Sequence, residues 1–298
     1  MDGPRPFAIP GSLPVETRAP EGGGDEGTRF RQEILLGIGG LRALRALGYD
    51  GLTRFHMNEG HASLLVLELL HELVLKEGAA TATRRHVDAI RPLCVFTTHT
   101  AVPAGHDQFP LDLVHRVVGL PEPLCELERD FCHEGELNLT YLALVHSHYI
   151  NGVAKRHREV SQHLFARYQI DSITNGIHVA TWASGPMQEL FDRHIPGWRE
   201  DNASLRYAAG LPNEEVWEAH RRNKRALVEH VNSNAAPPED TSADARSLYD
   251  KLEQVILPLY YRNREGFIRV MRAAIALNGS FFNTERMVNQ YVTKAYFK

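Results

Sequence analysis

Apolar residues recur at helical spacing through "TRFRQEILLGIGGLRALRALG" (28–48), which ends on Gly48, a residue suited to a helix C-cap. "LTRFHM" follows as a short strand, and "ASLLVLELLHELVLKEG" (62–78), apolar nearly all round, reads as a buried helix ending at Gly78. "LCVFTTHT" (93–100) reads as a second strand, followed by the turn "AVPAGHDQFP". The stretch 138–168 reads as two helices broken near Asn151-Gly152, and "SITNGI" (172–177) as a third strand and turn. The remainder is helical: 213–232, 247–262 and a last helix from Asn283 to Tyr296. Between them "SNAAPPEDTSADA" (233–245), rich in Pro, Ser and Asp, is a linker.

Three strands thus end in polar turns that run on into helices. In open parallel α/β sheets the ligand lies outside the carboxyl ends of the strands. The turns "HMNEGH", "TTHTAVPAGHD" and "TNGIHVATW" would bring Glu59, His61, His99, His106 and Asn175 to one crevice if the strands are neighbours.

The 298 residues suffice for two modest domains or one large one. A net charge of −4 with no basic run argues against a nucleic-acid groove. No apolar run is long enough to span a membrane. Cys94, Cys125 and Cys132 lack paired spacing and read as reduced thiols of a cytoplasmic protein. Residues 1–28, Pro/Gly-rich and without a basic start before an apolar stretch, read as a flexible arm rather than a secretion signal.

Several chemistries lack their residues. A helical zinc signature needs two His four apart, whereas His56 and His61 are five apart and straddle a turn, and His99 and His106 are separated by Pro103 and Gly105. No metal site is therefore assigned, although a metal-dependent hydrolase using His61, His99 and His106 stays an alternative. No Gly-x-Ser-x-Gly elbow occurs, and Cys94 sits inside an apolar strand. "GIGG" (37–40) lies within a helical pattern, where small residues serve close helix packing rather than phosphate binding. Asn, His and Glu at strand tips suit a polyol, whose hydroxyls need both donors and acceptors.

The ordered motifs "RFRQEILLGIGGLRALRALG", "FHMNEGHASLLVLELL", "TTHTAVPAGHDQF", "NLTYLALVHSHYINGVAKRHREVSQHLF" and "ITNGIHVATW" closely resemble the α-glucan (glycogen, starch, maltodextrin) phosphorylases over about residues 24–232. The last fifty residues resemble the C-terminal helices of that family. The resemblance implies an α/β fold: a partial Rossmann-like (GT-B type) domain with parallel strands and many helices over 29–180. The helical start of a second domain would cover 181–232, a linker 233–246 and C-terminal helices 247–298. It implies a glycosyltransferase that releases glucose 1-phosphate from an α-1,4-glucan or maltodextrin with orthophosphate. Pyridoxal 5′-phosphate would be the family's cofactor, acting through its phosphate. By motif match, His99 would be the catalytic-site residue bonding the glucosyl unit, and Asn175, Glu59 and His61 would be substrate-binding. A homodimer is a further implication.

The family's cofactor lysine lies in a "Ser/Thr-Gly-x-x-Met-Lys" stretch that this sequence lacks. None of Lys76, Lys155, Lys224, Lys251, Lys294 and Lys298 has a glycine-rich approach. The Arg-rich segment that grips orthophosphate in the family is missing too. Covalent cofactor binding is not expected, and the chain reads as a truncated form with impaired or no catalysis. A non-catalytic glucan-binding or regulatory module is the alternative.

Overall fold

The computed structural model describes residues 26–102, 105–118, 132–133, 135–234 and 249–297. Residues 1–25 of the 1–28 arm, residues 235–246 of the 233–246 linker, residues 247–248 and Cys125 lie outside the described residues. The chain divides into two compact units, Met1–Ile173 with Ala295–Lys298, and Thr174–Lys294.

In the first unit, α1 (Glu26–Ile34) and α2 (Gly40–Ala46) flank a π turn, Leu35–Gly39. β1 (Phe55–Asn58) leads through a 3-10 turn (Gly60–Ala62) into α3 (Leu65–Glu77), then α4 (Arg84–Ile90) and β2 (Cys94–Thr98). After β2 come β3 (Gln108–Pro110), α5 (Leu111–Val117), β4 (Cys132–His133), β5 (Glu136–Asn138) and α6 (Leu139–His146). β6 (Tyr149–Gly152), α7 (Lys155–Leu164) and β7 (Asp171–Ser172) complete the unit. The main sheet has the order β1-β2-β6-β7 with every pairing parallel, and β3-β5-β4 form a small antiparallel sheet. This is an α/β, partial Rossmann-like architecture with many helices.

All five residues of the internal strand β2 are buried, as expected where helices cover both faces of a parallel strand. α3 buries Leu65, Val66, Leu67, Leu69, Leu70 and Val74, and ends as expected on Gly78 in the left-handed region. Its buried Glu68 takes a two-pronged bond from Arg42, at 2.7 and 2.8 Å, which ties α2 to α3. The glycines of "GIGG" serve packing: a Cβ on Gly37 would lie 2.8 Å from the Leu65 nitrogen and 2.9 Å from Leu64 Cβ. The main departure from the sequence reading is β6. Residues 149–152 form a strand paired with β2, not the break between two helices.

The second unit is helical. α8 (Val179–Trp182) and α9 (Gly185–His194) precede a 3-10 stretch, Asn202–Gly210, and the long α10 (Asn213–Asn234). α11 (Leu257–Arg262), α12 (Arg264–Ala274) and α13 (Thr284–Tyr291) follow. Its core gathers Leu190, Phe191, Trp198, Leu205, Val216 and Ile268. Trp198, 1 % exposed, donates its indole N–H to Asp192 at 2.8 Å, so its one polar atom is satisfied.

Candidate functional site

The parallel ladder of β1 and β2 runs one step past β1, where the Glu59 amide donates to the Thr97 carbonyl at 2.9 Å. Glu59 then adopts φ 66°, ψ 177°, a conformation used almost only by glycine and costing about 1–3 kcal/mol in other residues. The turn aims the carboxylate across to the tip of β2. Glu59 Oε2 accepts the backbone N–H of His99 at 2.6 Å. Glu59 is 7 % exposed, and its Oε1 has no hydrogen-bond partner. His99 closes the corner from the other side with a short hydrogen bond from Nε2–H to Asn58 Oδ1. Burial lowers the His99 pKa below the usual imidazole value, Glu59 pulls it back up, and His157 lowers it. Neutral His99 with its proton on Nε2 leaves Nδ1 as an acceptor. The corner therefore presents a buried carboxylate oxygen and an imidazole nitrogen, both able to take a hydroxyl proton.

Beneath this corner a chain of hydrogen bonds crosses the sheet. The Tyr296 hydroxyl donates to His56 Nδ1, His56 Nε2–H donates to Thr97 Oγ1, both at 2.7 Å, and Thr97 donates to Asn151 Oδ1 at 3.0 Å. Burial first, then His99, pushes the His56 pKa down to about 4, so its ring is neutral near pH 7. Arg54 and His148 hold the carbonyls of Tyr296 and Ala295, at 2.8 and 2.9 Å.

Of the five residues picked from the sequence, Glu59 and His99 meet directly. His61 makes its contacts with other residues: from the 3-10 turn its Nδ1 lies 2.8 Å from Asp107 Oδ2 and 3.4 Å from Glu33 Oε1. Arg29 pairs with both Asp107 and Glu33. Burial, then the adjacent Asp107 carboxylate, raises the Glu33 carboxyl to about 8. His106 Nε2 faces the Thr100 carbonyl at 3.2 Å and its ring packs on Phe165. The imidazoles of His61, His99 and His106 thus have three separate sets of partners.

Asn175 belongs to the second unit, where it is exposed and its carbonyl accepts from Arg286 at 3.3 Å. The next residues explain the glycine of "TNGI". Ile177 pairs with the start of α13, its N–H to the Phe282 carbonyl at 2.9 Å and its carbonyl from the Thr284 amide at 3.0 Å. A Cβ on Gly176 would lie 2.2 Å from the Asn283 oxygen. β7, the strand before this turn, is separated from β2 by β6, so the three expected strands are not consecutive neighbours.

Asn58, His56, Thr97, Asn151, Glu33 and Asp107 were not picked from the sequence. The "ING" of β6, followed by a helix, has the same form as "TNGI" and was the available signal for Asn151.

Among the described lysines, Lys294 is half-buried. Lys76, Lys155 and Lys251 are exposed, and the Lys224 ammonium lies over the Tyr260 ring at 4.2 Å. Cys94, buried in β2 with its thiol pushed up to about 12, is not a nucleophile. Among the described residues no helix is long and apolar enough to cross a membrane.

Known proteins align with most of this architecture. A maltodextrin phosphorylase of Thermococcus litoralis is 36% identical over 222 residues, 68% of this chain and 26% of its own length. A glycogen phosphorylase of Mycobacterium tuberculosis is 36% identical over 222 residues, 66% of this chain and 24% of its own length. One from Aquifex aeolicus is 31% identical over 230 residues, 71% and 33%. The chain belongs to the α-glucan phosphorylase family. It spans about a quarter to a third of the length of these phosphorylases. No protein-family model matches it.

Proposed function

We propose that this chain is a glucan-binding portion of an α-glucan phosphorylase, and that the Asn58–Glu59–His99 corner takes hydroxyls of a glucosyl unit. The observation that carries this is Glu59: a non-glycine residue in a glycine conformation, with one carboxylate oxygen locked by the His99 amide and the other buried and unpaired. Strain of this kind persists where the surroundings over-determine a residue, and a buried carboxylate oxygen without a partner is costly unless a ligand supplies one. A sugar hydroxyl donates to that oxygen, and a second donates to His99 Nδ1. Fixed acceptors around the ring are what an oxocarbenium-like glucosyl transition state requires.

Phosphorolysis by this chain alone is impaired in this reading. Pyridoxal phosphate, when bound in this family, supplies a phosphate that relays a proton to orthophosphate, and this sequence lacks the Ser/Thr-Gly-x-x-Met-Lys stretch that holds it there. Positioning and charge stabilisation together supply on the order of 10 kcal/mol of such a barrier. Asn175 and His61 enter as further sugar contacts by motif match, and two facing Rossmann-like domains as the complete relatives' arrangement.

Calorimetry with maltoheptaose tests the reading. We expect millimolar-range binding that Glu59→Gln weakens about tenfold, one charge-assisted hydrogen bond. Absence of binding at millimolar saccharide overturns the glucan reading. Glucose 1-phosphate release, together with a borohydride-fixed pyridoxal adduct on a single lysine, overturns the impaired-catalysis reading.

A further inference from the structure

We propose that Glu33, His61 and Asp107 form a site for a divalent first-row transition cation that clips α1 to the β1–α3 turn and to the segment entering β3. The three residues come from separate stretches of chain, and each offers a ligand atom within 4.8 Å of the other two. His61 Nδ1 lies 2.8 Å from Asp107 Oδ2 and 3.4 Å from Glu33 Oε1. Ligand atoms held about 2.0–2.2 Å from one ion are roughly 3.0–3.5 Å apart in tetrahedral or octahedral geometry, so the His61–Glu33 separation matches a coordination edge and the His61–Asp107 one is slightly shorter.

Hydrogen bonding leaves the group incomplete. His61 Nδ1 carries at most one hydrogen and faces two carboxylate oxygens. Glu33, 4 % exposed, keeps Oε2 without any partner. A carboxyl group in the interior with one oxygen unpartnered is an uncommon and costly arrangement, and a cation that binds there takes the place of the acid proton. Arg29 reaches both acids from a side chain that is 54% exposed, so its guanidinium can leave for solvent when a cation enters. A cation bound to one oxygen of each acid and to the imidazole nitrogen takes up the unpartnered acceptor of Glu33.

The donor set names the ligand class. One imidazole and two carboxylates suit Zn²⁺, Mn²⁺, Fe²⁺ or Co²⁺, whereas Mg²⁺ and Ca²⁺ favour all-oxygen sites. The remaining coordination positions fall to water. The site is a structural clip whose ligand contacts lie apart from Asn58, Glu59 and His99, and it shares only His61 with the residues that enter as sugar contacts.

The whole chain, stripped of metal by chelator and dialysed, is titrated with ZnSO4, MnCl2 and CoCl2, and with MgCl2 for comparison. We expect one-to-one binding of a transition ion by calorimetry and a melting temperature raised by about 3–6 °C at saturating metal. Bound Co²⁺ should show visible d–d absorption. Asp107→Asn and His61→Gln should each weaken binding about tenfold or more, while Arg29→Gln should leave it equal or tighter. Circular dichroism checks that each variant is folded, and the cobalt spectrum of the unsubstituted chain needs no variant at all. Absence of heat, shift and d–d bands at millimolar metal overturns the proposal. So does binding that Asp107→Asn and His61→Gln leave unchanged, which would place the ion on other histidines.

Discussion

Taking the chain from pH 7 to pH 4 should remove about 3 kcal/mol of stability through His56 alone. The ring accepts from Tyr296 and donates to Thr97, so the neutral form satisfies both nitrogens and the charged form displaces the Tyr296 hydrogen. Burial, with a smaller push from His99, lowers its folded pKa to about 4. An unfolded histidine titrates near 6.5. Between those values the unfolded chain binds the extra proton, so stability rises with pH across the window and flattens above and below it. A gap of about 2.5 units at 1.36 kcal/mol each gives about 3 kcal/mol. Urea unfolding at half-unit steps from pH 4 to 7 measures it. Carboxylates contribute to the same slope, and so does His99, whose pKa is also lowered. The diagnostic quantity is therefore the difference in slope between the unsubstituted chain and His56→Gln, whose amide neither gains nor loses a proton there. Parallel slopes for the two proteins would refute the reasoning.

Gly176→Ala should cost about 1–3 kcal/mol in urea unfolding, because the new Cβ meets the Asn283 backbone, which cannot yield as a side-chain tip can. Native chain exposed to iodoacetamide near pH 8 should remain unlabelled at Cys94, with labelling appearing only on unfolding, since that thiol is fully buried and its pKa pushed up to about 12. Prompt labelling of Cys94 in folded protein would show that β2 is not the interior strand.

Long, strongly patterned elements were legible in the sequence. The apolar run of α3 and its terminal glycine announced a buried helix, and "LCVFTT" announced an apolar strand, because burial on both faces leaves few polar positions. β6 was hidden for a physical reason. The apolar run "LTYLALVHSHYI" continues through it without a change of period, and the strand owes its form to pairing with Val95–Thr98 rather than to its own pattern. The Glu59 conformation was hidden as well. A reader of "NEGH" assigns the positive φ to Gly60, yet Glu59 carries it, because the ladder to Thr97 and the bond to the His99 amide fix that residue from two sides. Glu33 and Asp107 flank His61 only through tertiary folding, and nothing in their local spacing joins them.

Whether the strand-tip corner grips a glucosyl ring is tested most directly at the His99 imidazole itself. Nitrogen-15 chemical shifts of the histidine side chains, followed during a maltoheptaose titration, report Nδ1 separately from Nε2. A saturable shift at His99 Nδ1, with Nε2 still protonated and bonded to Asn58, is the predicted result. A His99 signal that stays fixed while saccharide reaches saturating millimolar concentration would contradict it.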